Sequence, residues 1–333
     1  LTTPNPEAIT RDELARASEL VSRIEQSFSR RVVGQEHLRE ALLVALLANG
    51  HVLLESVPGL AKTLAAATLA STVHASFARV QCTPDLLPSD IVGTEVFDSR
   101  TTEFRTELGP VHAHFVLLDE INRSSAKTQS AMLEAMQERR VTIGGTSHDL
   151  PRPFITLATQ NPIDEEGTHV LPQAQMDRFL LKEVVDYPTP AEEFDVVHRV
   201  RSGALDAPEA EPVASTDDVL WLQRLVRRVH VEDSLVRYVI EIVDATRHPE
   251  RCLPDARAHE IELGASPRAT IAFVEAGAAR ALLHGRDHVV PDDLLALRHP
   301  VLRHRILLSF EAQATGVRTE DLIDAVFNAI PTP

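Results

Sequence analysis

The chain has 333 residues, 44% of them hydrophobic and 25% charged, the composition of a soluble globular protein of about two domains. Its formal charge of −16 argues against a general nucleic-acid binder, which needs a basic footprint, although a local basic patch is compatible with it. No apolar stretch reaches the ~20 residues of a membrane span, so direct membrane insertion is not expected.

Residues 1 to 9 read as a loose tail, and residues 10 to 30 as an amphipathic helix. From Gln35 to Asn49 the apolar residues nearly surround the helix, which predicts burial. Residues 51 to 55 make a strand, a loop follows, and a helix runs from Lys62 to about Val73. A second strand covers 77 to 82. Short alternating stretches in 91 to 109, with turn residues between them, predict an inserted hairpin. A buried strand spans 114 to 119 and a helix spans 125 to 138. Gly144-Gly145 between 140–143 and 146–150 is a hairpin signal. Further buried strands cover 154 to 159 and 179 to 185. Short apolar strands alternating with helices predict an α/β fold, a parallel sheet covered on both faces. Thr189-Pro190-Ala191-Glu192 is a capping box with proline at the first helical position. Residues 203 to 214 read as a linker, and 215 to 333 as a smaller all-helical domain. The predicted division is 1–30 (tail and helix), 31–202 (α/β domain), the linker 203–214, and 215–333.

The segment Ser56-Val57-Pro58-Gly59-Leu60-Ala61-Lys62-Thr63 has the shape of a phosphate-binding loop, although the pattern G-x-x-x-x-G-K-[ST] wants glycine where Ser56 and Ala61 stand. Such a loop works through backbone N–H groups converging on the anion, helped by the dipole of the next helix. Gly59 keeps one permissive position and Pro58 stiffens the turn. Lys62 would reach the β- and γ-phosphates of a nucleoside triphosphate, and Thr63 would place its hydroxyl on Mg²⁺. Taken alone, the loop is equally a strand–turn–helix with an incidental Lys-Thr.

Residues 115 to 118 are apolar and end in Asp119-Glu120. In a parallel sheet ligands sit at the carboxyl ends of the strands, where these acids emerge. Asp119 suits the outer shell of Mg²⁺ through water, and Glu120 suits polarising the attacking water. Asn161, at the end of another strand, could hold that water or the γ-phosphate; Asn161-Pro162 could also be a plain turn. Phosphoryl transfer also needs cations to meet the developing charge. Arg178, Arg268 and Arg123 are the candidates, each of which could instead be an ordinary surface arginine.

Together these pieces resemble an AAA+ ATPase, specifically the MoxR family. The resemblance runs from about Val33 to Phe327 and rests on Thr83-Pro84-Asp85-Leu86-Leu87-Pro88, Leu118-Asp119-Glu120-Ile121-Asn122-Arg123, Leu171-Pro172-Gln173-Ala174-Gln175-Met176-Asp177-Arg178-Phe179 and Gly264-Ala265-Ser266-Pro267-Arg268. It implies an AAA+ sheet domain with a helical lid, ATP/ADP and Mg²⁺ as ligands, and ATP hydrolysis. It implies that Asn161 is sensor 1, Arg268 is sensor 2 of the lid, and Arg178 is the arginine finger acting on the neighbouring subunit's nucleotide, with Arg123 a further trans candidate. Val33, Gly34 and Gln35 match the segment lining the adenine pocket, and positions Ser56 through Leu64 match the phosphate loop and the start of its helix. The family's proteins form rings, usually hexamers. They are chaperone-like, remodelling or activating partners that are often metalloenzymes or proteins with von Willebrand factor A domains. Ala61 is common in the family, whereas Ser56 replaces a usual glycine and bears on the hydrolysis rate. A nucleotide-gated scaffold with weak hydrolysis is one alternative; a nucleic-acid motor is disfavoured by the charge.

Cys82 and Cys252 stand far apart in no metal-like spacing, and the polar start, opening on Leu1, carries no signal-peptide pattern. Both features predict a reduced, cytoplasmic protein. His112 and His114 would share one face of a strand, but no third metal ligand is near. Arg298, His299, Arg303, His304 and Arg305 form a basic segment expected at a solvated or intersubunit face. Trp221, the single tryptophan, is expected to pack the lid.

Overall fold

Helix α1 (Arg11–Arg31) starts where its sequence can cap it: Thr10 Oγ1 accepts from the Glu13 amide at 3.2 Å and the Glu13 carboxylate accepts from the Thr10 amide at 2.9 Å. The computed structural model describes residues 8–32, 34–56, 60, 62–161, 171–202 and 212–333. After α1 the chain forms α2 (Glu36–Ala48), β1 (Val52–Ser56), α3 (Lys62–Thr72), β2 (Phe77–Gln81), α4 (Pro88–Val92), β3 (Gly93–Asp98), β4 (Glu103–Leu108), β5 (Phe115–Asp119) and α5 (Ala126–Glu138). It continues through β6 (Arg140–Ile143), β7 (Thr146–Asp149), β8 (Ile155–Gln160), α6 (Gln173–Met176), β9 (Leu181–Val185) and α7 (Pro190–Arg201). The two expected hairpins are present as the antiparallel pairs β3–β4 and β6–β7.

The main sheet is parallel throughout, in the order β2-β5-β8-β1-β9. Side chains alternate across a strand, and here the alternation divides the two larger hydrophobic cores. Val52, Leu54, Phe115, Leu117, Ile155 and Leu157 face the core shared with α1, α2 and α3. Leu53, Val116, Leu118 and Ala158 face the core built with α5 and Phe179. Burial on both faces explains why these strands read as unbroken apolar runs.

The C-terminal region contains α8 (Thr216–Val226), α9 (Asp233–Arg247), α10 (Asp255–Ala258), β10 (Ile261–Leu263), α11 (Pro267–Leu283), α12 (Pro291–Leu302), β11 (Leu307–Leu308), α13 (Phe310–Ala314) and α14 (Thr319–Ala329). It is helical as expected, with one addition, the short antiparallel ribbon β10–β11. Gln223 Nε2 donates to the Leu46 carbonyl at 2.8 Å, and residues of α8, α9, α11 and α12 share one apolar core with α2. Asp293 is fully buried; burial pushes its pKa up, but Arg286, the Val290 amide and Arg280 more than offset that and hold it below the usual range. Most of the predicted linker, residues 203–211, lies outside the described residues. Trp221 is partly buried against the core, with the Arg16 guanidinium 4.5 Å from its ring centre.

Two readings of side chains need correction. The basic segment at the end of α12 is not a solvated face. Arg298 and His299 meet Asp324 at 2.5 and 2.9 Å, Arg303 meets Glu320 at 3.3 Å, and His304 and Arg305 are buried. The histidines near 112 do not share a strand face: His112 closes a short 3₁₀ turn before β5, and His114 Nδ1 meets Ser76 Oγ at 2.7 Å. Among the described residues no group of three His, Cys, Asp or Glu side chains could hold a metal, and no helix is long and apolar enough to cross a membrane.

Two imidazoles are wholly buried and kept neutral. His51 Nδ1 accepts from the Thr156 amide at 3.0 Å and Nε2 donates to the Met136 carbonyl at 3.2 Å; burial lowers its pKa to about 3. His304 donates to the Phe179 carbonyl and is likewise held well below the usual value of 6.5, chiefly by burial. The unfolded chain therefore binds more protons, so the stability these groups contribute is present above about 6.5 and is lost as pH falls below it. At about 1.4 kcal/mol per pH unit for each, the unfolding free energy is expected to drop by roughly 2–3 kcal/mol between pH 7 and 5.5. Denaturant titrations at the two pH values check this, and equal midpoints would contradict it.

Candidate nucleotide site

The carboxyl ends of β1, β8 and β5 lie side by side, and the sheet order sets Asn161 between the loop after β1 and the acids after β5. Ser56 closes β1 in extended backbone, which serine adopts without strain. Its carbonyl accepts from Lys62 Nζ at 3.5 Å. Lys62 and Thr63 open α3, so the positive end of a helix faces the site. Half-burial lowers the Lys62 pKa, and the charges of Asp119 and Glu120 oppose that shift, which sets all three groups within one electrostatic neighbourhood. Leu60 is buried against the core and Leu64 is partly so. The predicted positions Val33, Val57, Pro58, Gly59 and Ala61 lie outside the described residues.

Asp119 is buried at the end of β5, and both of its oxygens are held. Thr159 Oγ1 donates to Oδ1 at 2.8 Å, and Arg79 donates to Oδ2 through Nη2 at 2.5 Å and Nε at 3.2 Å. The same Thr159 oxygen accepts from the Glu120 amide at 2.8 Å. One hydroxyl thus fixes the acid and the backbone of its neighbour. Glu120 has φ 56° and ψ 53°, in the left-handed region that a non-glycine residue occupies at a cost of order 1–3 kcal/mol. That turn lifts its carboxylate off the strand axis, where Oε2 accepts from Arg123 Nη1 at 3.1 Å and Gln81 Nε2 at 3.3 Å. Arg123 is therefore engaged by the glutamate of its own chain. Thr63 and Asp119 offer the hard oxygen donors that Mg²⁺ takes, alongside waters and phosphate oxygens.

Arg178 and Arg268 stand elsewhere. Arg178 precedes β9, and Leu181 of β9 pairs with Val52 at the start of β1, whereas Ser56 pairs with Val185. Four residue steps at about 3.3 Å separate the two edges by roughly 13 Å before any loop is added. Both arginines line a cleft at the amino edge with Gly50, His51 and Phe179. That places both arginines at the opposite edge of the sheet from Lys62. The lid is fixed there by Asp177. Its Oδ1 accepts from Arg305 Nε at 2.8 Å, its Oδ2 accepts from Ser266 Oγ at 2.7 Å, and Arg268 Nη1 stands 3.8 Å away. Ser266 also caps α11 by accepting from the Arg268 amide at 3.1 Å. The Arg178 Nε is buried without a partner among the described residues.

Four contributors escaped the sequence reading: Thr159, Arg79, Gln81 and Asp177. Arg79 and Gln81 could have been noticed as polar residues two apart, hence on one face, at the end of a strand beside β5. Asp177 lies within the quoted 171–179 segment but shows its role only when the lid is in place.

Residues 51–181 match the family model for the ATPase family associated with various cellular activities (AAA), and residues 255–326 match the AAA lid domain. Fold and strand-end site together define an AAA-type ATPase with its lid. The chain is 47% identical over 302 residues to the Chaperone MoxR1 of Mycobacterium tuberculosis, covering 91% of this chain and 79% of that one. It is 43% identical over 316 residues to the uncharacterized protein YeaC of Bacillus subtilis, covering 94% and 95% of the two chains. A crystal structure of a candidate ATPase from Cytophaga hutchinsonii superposes with a TM-score of 0.91 at 40% identity, covering 97% of both chains. The chain belongs to the MoxR family of AAA+ ATPases.

In the Asp177–Arg305 pair Arg305 is buried and Asp177 largely so, with side chains 2% and 13% exposed. Removing one partner of such a pair leaves an uncompensated charge, which costs about 3–5 kcal/mol. Asp177→Ala is expected to lower unfolding stability by that amount, measured by denaturant titration. A loss under about 1 kcal/mol, the scale of exposed pairs, would remove Asp177 as the lid's anchor.

Proposed function

We propose that this chain is a cytoplasmic, Mg²⁺-dependent ATP hydrolase that assembles into a closed ring, a hexamer, and uses turnover to remodel or activate a protein partner. In this reading 31–202 is the nucleotide-binding unit and 215–333 the lid, joined by 203–214. Two supports for the partner class are the similarity to a protein named a chaperone and the family resemblance, which points to a metalloenzyme or a protein with a von Willebrand factor A domain.

The observation that carries the proposal is the division of the charged groups between the two edges of one sheet. At the carboxyl edge, Lys62 and the amides that open α3 bind the β- and γ-phosphates, and Gly34 and Gln35 border the adenine. Thr63 and Asp119 would hold Mg²⁺, which when bound neutralises charge on the transferred phosphoryl group. Glu120 orients the attacking water and accepts its proton, and Asn161 positions that water against the γ-phosphate. The amino edge carries Arg178 and Arg268, which in a head-to-tail ring approach the next subunit's phosphates. Heterologous contacts of this kind close into rings when the rotation is right.

Glu120→Gln is expected to keep ATP affinity within a few-fold and to slow turnover by about 10²-fold or more, the scale of a general base. Fluorescent-nucleotide titration and steady-state phosphate release measure the two quantities. Wild-type turnover in that variant would take Glu120 out of the role.

A further inference from the structure

One face of β2 changes character along the strand. Phe77 packs on the core shared with α3, but Arg79 and Gln81, the next residues on that face, are charged and polar. β2 pairs in register with β5, Arg79 opposite Leu117 and Gln81 opposite Asp119. The Arg79 side chain therefore runs along the strand, two residues or about 6.6 Å toward the carboxyl edge, to meet Asp119. The two side chains differ in burial, 49% exposed for Arg79 and 13% for Asp119.

A carboxylate offers about four acceptor sites, two on each oxygen. Arg79 takes both on Oδ2, through Nη2 and Nε, and Thr159 takes one on Oδ1. An acid that joins a Mg²⁺ shell through water needs sites aimed at those waters. A guanidinium on the same oxygen fills them, and it repels a dication where water screens poorly. Yet the guanidinium has somewhere to go. Its Nη2 also donates to Gln81 Oε1 at 3.3 Å, and the side chain is half open to solvent. It can leave Oδ2 and stay tied to β2. The same charge acts in the opposite sense on a nucleotide. A triphosphate that arrives without metal meets the Asp119 carboxylate beside Lys62, and Arg79 cancels that repulsion.

We propose that Arg79 is the counter-cation of Asp119: it competes with Mg²⁺ for the carboxylate and eases the entry of bare phosphate, and so sets how strongly nucleotide binding depends on metal. This rests on the reading of Asp119 as a metal-shell acid. Arg79 is a positioning residue, since it acts through Asp119.

The test titrates the full chain with a fluorescent, non-hydrolysable ATP analogue, once in saturating Mg²⁺ and once in EDTA. By linkage, the ratio of the two affinities reports how tightly the nucleotide-bound chain holds metal. Arg79→Met removes the charge and keeps an unbranched apolar stem. It is expected to weaken binding in EDTA by tenfold or more and to raise the Mg²⁺-to-EDTA affinity ratio by tenfold or more. Arg79→Gln, also neutral, is expected to do the same and serves if Arg79→Met does not fold. Arg79→Lys keeps the charge and is expected to hold the affinity in EDTA within a few-fold of wild type. A merely structural ion pair would lower both affinities alike. A folded neutral variant with an unchanged ratio would therefore overturn the proposal, as would an Arg79→Lys loss as large as that of Arg79→Met. Asp119→Asn with the wild-type ratio would overturn the metal role of Asp119 itself, whatever Arg79 does.

Discussion

The arrangement of this molecule hangs on one carboxylate. Asp177 receives Arg305 from the end of α12 and Ser266 from the cap of α11, with Arg268 close by. Burial pulls the Arg305 pKa down to about 10 even though Asp177 opposes that shift. Such a buried pair is demanding rather than strongly stabilising, since desolvation offsets much of the attraction. What it supplies is position. It fastens the lid to the amino edge of the sheet, and so fixes where Arg268 can and cannot act.

The opposite edge is organised by a different economy of contacts. A single hydroxyl, that of Thr159, holds both the Asp119 carboxylate and the Glu120 amide, which keeps two adjacent acids from pointing the same way. Arg79 and Gln81 then hold one acid each from the neighbouring strand. An acid that shares a metal through water needs a fixed carboxylate, and an acid that activates water needs one turned away from the metal. The left-handed turn at Glu120 produces that divergence. The pairing with Arg79 also means that Asp119 enters any metal shell already partly neutralised.

Much of this was legible in the sequence because the signals are local. Strands buried on both faces, the Lys-Thr after an apolar run, the acids closing the next strand and the Gly-Gly hairpin each follow from a few adjacent residues. What was not legible depends on distant pairs. The burial of His304 and Arg305 requires Phe179 and Asp177, which lie about 125 residues earlier. A basic run therefore read as a solvated or intersubunit face, whereas its last two residues form the seam between lid and sheet. The two-residue strand β11 is too short for any periodicity to mark it. The edge on which Arg178 and Arg268 stand is likewise a matter of sheet direction and lid docking, which no local motif records.

The central claim is that one chain cannot complete its own site. The most direct measurement mixes two inactive preparations: Lys62→Ala, which lacks phosphate binding but keeps its arginines, and Arg178→Ala, which is expected to lose about 10³-fold in turnover by analogy with other arginine fingers. Mixed at equal concentration with ATP and Mg²⁺, they are predicted to recover phosphate release well above the sum of the two, because some boundaries then pair an intact loop with an intact arginine. A mixture that assembles but stays at the sum would contradict the account.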